Sequence, residues 1–119
     1  MEELTKTEER IMQIIWQLEK CFVKDIIDKL DDEPKPPYTT ISSVVRILET
    51  KGFVGHKAYG KTHEYFPLIN REEFGKSSFR RMFREYFEGK PEKVLSFMME
   101  DEKLSPDEIE QLKKFIDKQ

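Results

Sequence analysis

Cysteine is almost missing from this chain: Cys21 is the one thiol in 119 residues. A single thiol excludes an internal disulfide and any cysteine-based zinc cage, and between two short helices it reads as a small buried hydrophobe. No run of about 18 apolar residues occurs, which excludes insertion into a membrane as a spanning helix. The opening residues Met1-Glu2-Glu3-Leu4-Thr5-Lys6 have neither the basic start nor the apolar core of a signal peptide, so a cytoplasmic location is expected. Glycine is scarce too, with five in the chain, and none forms a phosphate-cradling loop. No Ser/His/Asp order and no paired carboxylates on a plausible scaffold are present, so neither an enzyme nor a cofactor is expected.

What the chain has in quantity is charge, 38% of residues, with a formal net of −3. The distribution matters more than the sum. Residues 1–33 carry 5 basic and 10 acidic groups, whereas residues 34–70 carry 5 basic and 2 acidic ones and both histidines. Residues 71–90 hold 6 basic and 4 acidic groups, and residues 91–119 hold 5 and 8. A phosphate backbone responds to charge within a Debye length, so the basic middle segment is the one to watch.

Thr5 and Glu8 have capping-box spacing, and Ile11, Met12, Ile14, Ile15, Trp16 and Leu18 follow at helical period. Val23, Ile26, Ile27 and Leu30 predict a second, shorter helix, which Pro34, Pro36 and Pro37 prevent from continuing. Asp31, Asp32 and Glu33 before them read as a solvated loop rather than a cation site. A third helix is predicted from near Tyr38-Thr39 to Lys51, with Gly52 as its stop and Ile41, Val44, Val45 and Leu48 inward. Its other side shows Thr40, Ser42, Ser43 and Arg46. Serine and threonine are weak helix formers, so this face is unlike an ordinary solvated one. Val54–Ala58 and Thr62–Phe66 flank Tyr59-Gly60-Lys61 as a β-hairpin. Asn70 and Glu73 open a fourth helix running to Gly89, a short helix follows Pro91, and Ser105, Pro106 and Glu108 start the last one.

Three helices followed by a glycine-tipped basic hairpin form the winged helix-turn-helix pattern, here within a mainly α fold with one small hairpin. A helix fits the major groove, and short hydroxyl side chains let its backbone approach closely. Candidate DNA contacts are Tyr38, Thr39, Thr40, Ser42, Ser43 and Arg46 on the third helix, with Lys57 and Lys61 on the wing. Arg46 reaches a guanine edge, or else pairs with Glu49 or Thr50; the Tyr38 hydroxyl meets a phosphate, or its ring packs on the first helix. His56 and His63 are expected opposite one another on the hairpin, as surface or phosphate contacts, since two histidines without a carboxylate partner make a poor metal site. No metal is expected.

The segments Leu4-Thr5 through Ile14-Ile15-Trp16, Tyr38-Thr39-Thr40-Ile41 through Arg46-Ile47-Leu48-Glu49-Thr50-Lys51-Gly52, and the hairpin ending Tyr65-Phe66-Pro67-Leu68 resemble the penicillinase-repressor family (BlaI/MecI/CopY type) of winged-helix repressors. The resemblance covers about residues 1–105. It implies a homodimer that binds a dyad operator in double-stranded DNA, with residues 1–70 as reading head and residues 71–119 as helical dimerisation arm. Copper-responsive members carry a Cys-x-Cys cluster near the C-terminus; with Cys21 alone, copper sensing is not expected. In β-lactam-responsive members a membrane sensor protease system triggers cleavage of the arm at an Asn-Phe bond. The matching pair is Ser96-Phe97, where the phenylalanine is kept and the asparagine is not.

Residues 71–119 hold six of the nine phenylalanines. So small a piece cannot bury that much apolar surface by itself, and a second copy is the expected cover. The predicted dimer interface is Phe79, Met82, Phe83, Tyr86, Phe87, Leu112, Phe115 and Ile116, with Val94–Met98 kept buried and Arg80, Arg81 and Arg84 on a solvated face. The competing reading is a winged-helix protein-interaction module without DNA binding, which the negative net charge suits.

Overall fold

The computed structural model describes residues 2–101 and 104–117. The order of elements is α1 (Lys6–Leu18), α2 (Val23–Lys29), α3 (Tyr38–Thr50), β1 (Val54–Tyr59), β2 (Thr62–Pro67), α4 (Arg71–Tyr86), α5 (Pro91–Asp101) and α6 (Pro106–Asp117). The chain divides into two compact units, Met1–Phe74 and Gly75–Gln119. The break falls four residues after the expected 70/71 boundary because Phe74 packs its ring 5.7 Å from both Trp16 and Phe53. Among the described residues no helix is long and apolar enough to cross a membrane.

In the first unit each helix starts and stops where local chemistry dictates. The capping box of α1 is formed: Glu8 N–H donates to Thr5 Oγ1 and Thr5 N–H to Glu8 Oε1, both at 3.1 Å. Asp25 caps α2 by accepting from Phe22 N–H at 2.9 Å. At the end of α3, Gly52 takes φ +85°, which a side chain disfavours, and Phe53 N–H turns back to Leu48 O at 2.9 Å. The apolar stripes then meet. Ile11, Met12 and Ile15 of α1, Ile26 of α2, and Ile41, Val45 and Leu48 of α3 close around Phe53, Val54 and Tyr65 with almost no exposure. The indole of Trp16 donates to Ile69 O at 2.7 Å, so its polar edge is satisfied.

β1 and β2 pair antiparallel through a two-residue turn, Gly60-Lys61, one residue tighter than expected, with Tyr59 opposite Thr62. Cys21 adds an isolated bridge on the outer edge of β2, exchanging both backbone hydrogen bonds with Tyr65 at 2.9 and 2.7 Å. Burial pushes its thiol up to about 11, which keeps it a neutral packing group. Two ion pairs tie distant parts of this unit. Lys51 reaches the largely buried Glu8 at 2.6 Å and the carbonyl of Glu3 at 3.1 Å, holding Glu8 below the usual carboxylate range. The Arg10 guanidinium grips Asp32, so that loop carboxylate is engaged rather than simply solvated.

In the second unit α4 stops at Tyr86 and not at Gly89. Glu88 and Gly89 adopt left-handed backbone, and Gly89 N–H closes onto Phe83 O at 2.9 Å. Ser105 and Glu108 cap α6 reciprocally at 3.2 and 3.0 Å. Val94 is the one side chain of this unit that is buried among the described residues. The expectation that the whole Val94–Met98 stretch is hidden is corrected: in this single chain Ser96 is exposed and Phe97 is 44% exposed, because α5 turns them to its outer side.

Candidate nucleic-acid interface

α3 presents one face to the core and the other to solvent. Tyr38, 55% exposed, stands at its first residue, and Thr39, Thr40, Ser43, Arg46 and Thr50 are exposed. Ile47 shares that outer face at 45% exposure. Ser42 does not belong with them. It is only 8% exposed, because its position on the helix falls beside Ile41 and Val45. Ser42 is therefore withdrawn from the candidate contacts. The stripe that sequence spacing assembled as Thr40, Ser42, Ser43 and Arg46 is in the folded chain Thr39, Thr40, Ser43, Arg46 and Thr50.

Hydrogen bonds refine what this stripe offers. Ser43 Oγ donates to Thr39 O at 2.9 Å and Thr50 Oγ1 to Arg46 O at 3.0 Å, so both hydroxyls keep acceptor capacity for an incoming donor. Glu49, one of the two residues weighed as a surface partner for Arg46, is engaged instead by His56 Nδ1. The start of α3 has neither an acidic residue in its first turn nor a side-chain cap at Pro37. Its first amides and the positive end of its dipole are thus uncompensated, an arrangement that favours an anion.

The hairpin separates the two wing lysines. Lys61 lies exposed at the turn. Lys57 stands across from Glu64, with its ammonium 5.3 Å from the Tyr59 ring centroid, on the face of the hairpin turned away from α3. The face toward α3 carries His56, His63 and Tyr65. His56 pairs with Tyr65 and His63 with Ala58, so the histidines are diagonal rather than opposite, and their rings nevertheless stack at 4.1 Å. Sequence reading missed that Glu49, His56, His63 and Tyr65 form one cluster. The alternation along each strand carried the signal for the three hairpin residues, but the one-residue difference in turn length hid it. Burial raises the Tyr65 hydroxyl above the usual tyrosine range. Among the described residues no group of three His, Cys, Asp or Glu side chains could hold a metal ion.

The predicted interface residues of the second unit form no closed cluster. Phe79, Met82, Tyr86 and Phe115 are 45%, 49%, 75% and 54% exposed, while Phe83, Phe87 and Leu112 are half-buried. Phe79 stacks on Phe83 at 5.9 Å and Phe87 leans on Phe97 at 6.0 Å. Met98, Leu104, Leu112 and Phe115 line an open apolar groove. The side chain of Ile116 lies outside the described residues.

A three-helix head with an exposed hydroxyl-and-arginine helix beside a two-stranded wing is a winged helix-turn-helix. The solution structure of the DNA-binding domain of the repressor BlaI has the same fold, with a TM-score of 0.52 at 22% identity over 60% of this chain and 87% of that one. The penicillinase repressor family model matches residues 4–118, and the chain belongs to that family. It is 25% identical over 116 residues to the methicillin resistance regulatory protein MecI of Staphylococcus aureus, covering 98% of this chain and 94% of the relative. It is 20% identical over 115 residues to the penicillinase repressor of Bacillus licheniformis, covering 97% and 90%. These relatives are regulators and repressors by name, not enzymes.

Proposed function

We propose that this protein is a homodimeric, sequence-specific DNA-binding repressor whose α3 enters the major groove of a dyad operator. The observation that carries the reading is the exposed Thr39, Thr40, Ser43 and Arg46 stripe on a helix whose first turn has no acidic residue. Small hydroxyls permit close approach, Arg46 supplies a forked donor for a guanine edge, and the open helix start suits a phosphate. Tyr38 and Lys61 extend the contact to the flanking backbone, with Lys57 serving that role only if it leaves Tyr59. The kinship with MecI and with the penicillinase repressor supports repression as the outcome.

Residues 75–119 are the dimerisation arm in this reading. Their exposed aromatics need cover, and a second copy supplies it while setting two reading heads one helical turn, roughly 34–36 Å, or a multiple of it apart. Release by proteolysis at Ser96-Phe97, through a membrane sensor protease, requires local unfolding of α5, since a protease binds extended chain. Loss of α6 then weakens the dimer and empties the operator with the head intact.

The test is selection of duplexes from a random library with the full-length protein, followed by sedimentation. Enrichment of a two-fold symmetric site bound by a dimer supports the reading. No enrichment at low salt overturns it in favour of a protein-interaction module. Fragments ending at Ser96 after a cell-wall β-lactam is applied to the native cells support proteolytic release; derepression with the chain full-length removes it.

A further inference from the structure

The wing face turned toward α3 holds a group that the recognition stripe does not use. The His56 and His63 rings stack with centroids 4.1 Å apart and planes 7° from parallel. His56 Nδ1 meets the Glu49 carboxylate, and both side chains are 33% exposed, so solvent and ligands reach them. Tyr65 closes the inner side, its ring 5.8 Å from His56 and 6.1 Å from His63. From α3, the charges of Glu49 and Arg46 and the Tyr38 hydroxyl reach the Tyr65 hydroxyl, secondary to its burial. Lys57 and Glu64 oppose each other at the register position between the histidines and belong to the other face of the hairpin.

This geometry limits the chemistry. Parallel stacked imidazoles carry their nitrogen lone pairs side by side in parallel planes, so they do not converge on one metal ion. Glu49 is an anion beside a surface that has to approach phosphates, with Arg46 three residues before it on the same helix. One proton on His56 cancels that charge and leaves an Nε2–H donor at the ring edge remote from Glu49. A proton on each ring would set two like charges face to face at 4.1 Å, which this stacking disfavours.

We propose that the stacked His56–His63 pair is a phosphate contact of the wing that takes up one proton when DNA binds. It rests on the DNA-binding reading above and gives that interface a built-in pH dependence. Imidazole ordinarily titrates near 6.5, within the physiological range, and a phosphate favours the charged ring. The bound form then has the higher proton affinity. Binding is strongest below the free protein's titration point and weakens as pH rises through that of the complex.

The experiment is a fluorescence-anisotropy titration of the full chain against a random-sequence duplex of about 30 base pairs, at fixed low ionic strength. Between about pH 6 and about pH 8 the expected loss of affinity is roughly tenfold, with log Kd rising by up to about one per pH unit. His56→Gln keeps a donor for Glu49 without titrating, and flattens the profile; His63→Gln retains it. In the wild-type protein, the NMR titration midpoint of the His56 ring moves to higher pH when duplex is added. A merely structural tie would make His56→Gln weaken binding equally at every pH, and that result overturns the proposal. So does a flat wild-type profile, or a midpoint unmoved by DNA; each leaves DNA binding itself standing. Failure to bind any duplex across this range overturns both readings.

Discussion

In residues 1–74 three helices and a hairpin bring their apolar stripes onto one another, and Phe53, Met12, Ile26, Val45 and Leu48 end with no exposure. In residues 75–119 three helices of similar amphipathic character leave Met82, Tyr86 and Phe115 about half or more exposed, and Val94 is the only buried side chain among those described. Both units use amphipathic helices with reciprocal caps, Thr5 with Glu8 in the first and Ser105 with Glu108 in the second. What separates them is closure. The first has a partner stripe for each apolar face and becomes self-sufficient, whereas the second presents faces without cover. A fold that finishes its own core is free to spend its surface on recognition. One that does not leaves apolar surface for a partner to cover, which is why assembly is proposed for it.

The largest expected effect breaks the second unit alone. Phe83→Asp or Phe87→Asp places a charge in the proposed interface, and burial of an unpaired charge costs several kcal/mol. Sedimentation should then show monomers at micromolar concentration, while thermal melting of the head, followed by Trp16 fluorescence, stays where it was. A folded wild-type monomer at that concentration would remove the contrast between the units. Next in size is the converse. Leu48→Ala opens a cavity in the closed core and should cost about 2–5 kcal/mol of head stability by urea titration, leaving self-association through the arm unchanged.

A smaller effect separates reading from holding. Arg46→Ala should cost about 1–3 kcal/mol on a selected site and relax preference at one base pair per half-site. Lys61→Ala should weaken all sequences alike and reduce the salt slope by about 1. If Arg46→Ala lowers affinity for selected and random duplexes equally, the base-reading role is wrong. The smallest concerns the tie between α1 and the end of α3. Glu8 is held below the usual carboxylate range chiefly by Lys51, so it contributes stability above the ordinary glutamate value and loses it as pH falls through the lowered one. Glu8→Gln should therefore cost about 1 kcal/mol at neutral pH and nothing well below pH 4, a difference readable in paired urea melts.

Much of this was legible along the chain. The caps at Thr5, Asn70 and Ser105, the stop at Gly52 and the order of helices and hairpin follow from neighbours three or four residues apart, and the structure has them. The errors share one cause. Ser42 was grouped with Ser43 by residue type, but a helix turns by about 100° per residue and carries Ser42 toward the core. The histidines, expected opposite one another, are diagonal because the two-residue turn pairs His56 with Tyr65 and His63 with Ala58. α4 ends before Gly89 because left-handed backbone already begins at Glu88.

Local chemistry, written in the sequence, thus determined the elements, their caps, the basic middle segment and the winged order that places the chain in its family. Only the tertiary structure decided which serine is exposed, that Lys57 lies on the hairpin face away from His56, and that Glu49, His56, His63 and Tyr65 meet. Those outcomes depend on the phase of a helix against a sheet and on strand register. Both are set by how apolar surfaces pack between segments far apart in the chain, where a shift of one residue turns a side chain to the other face.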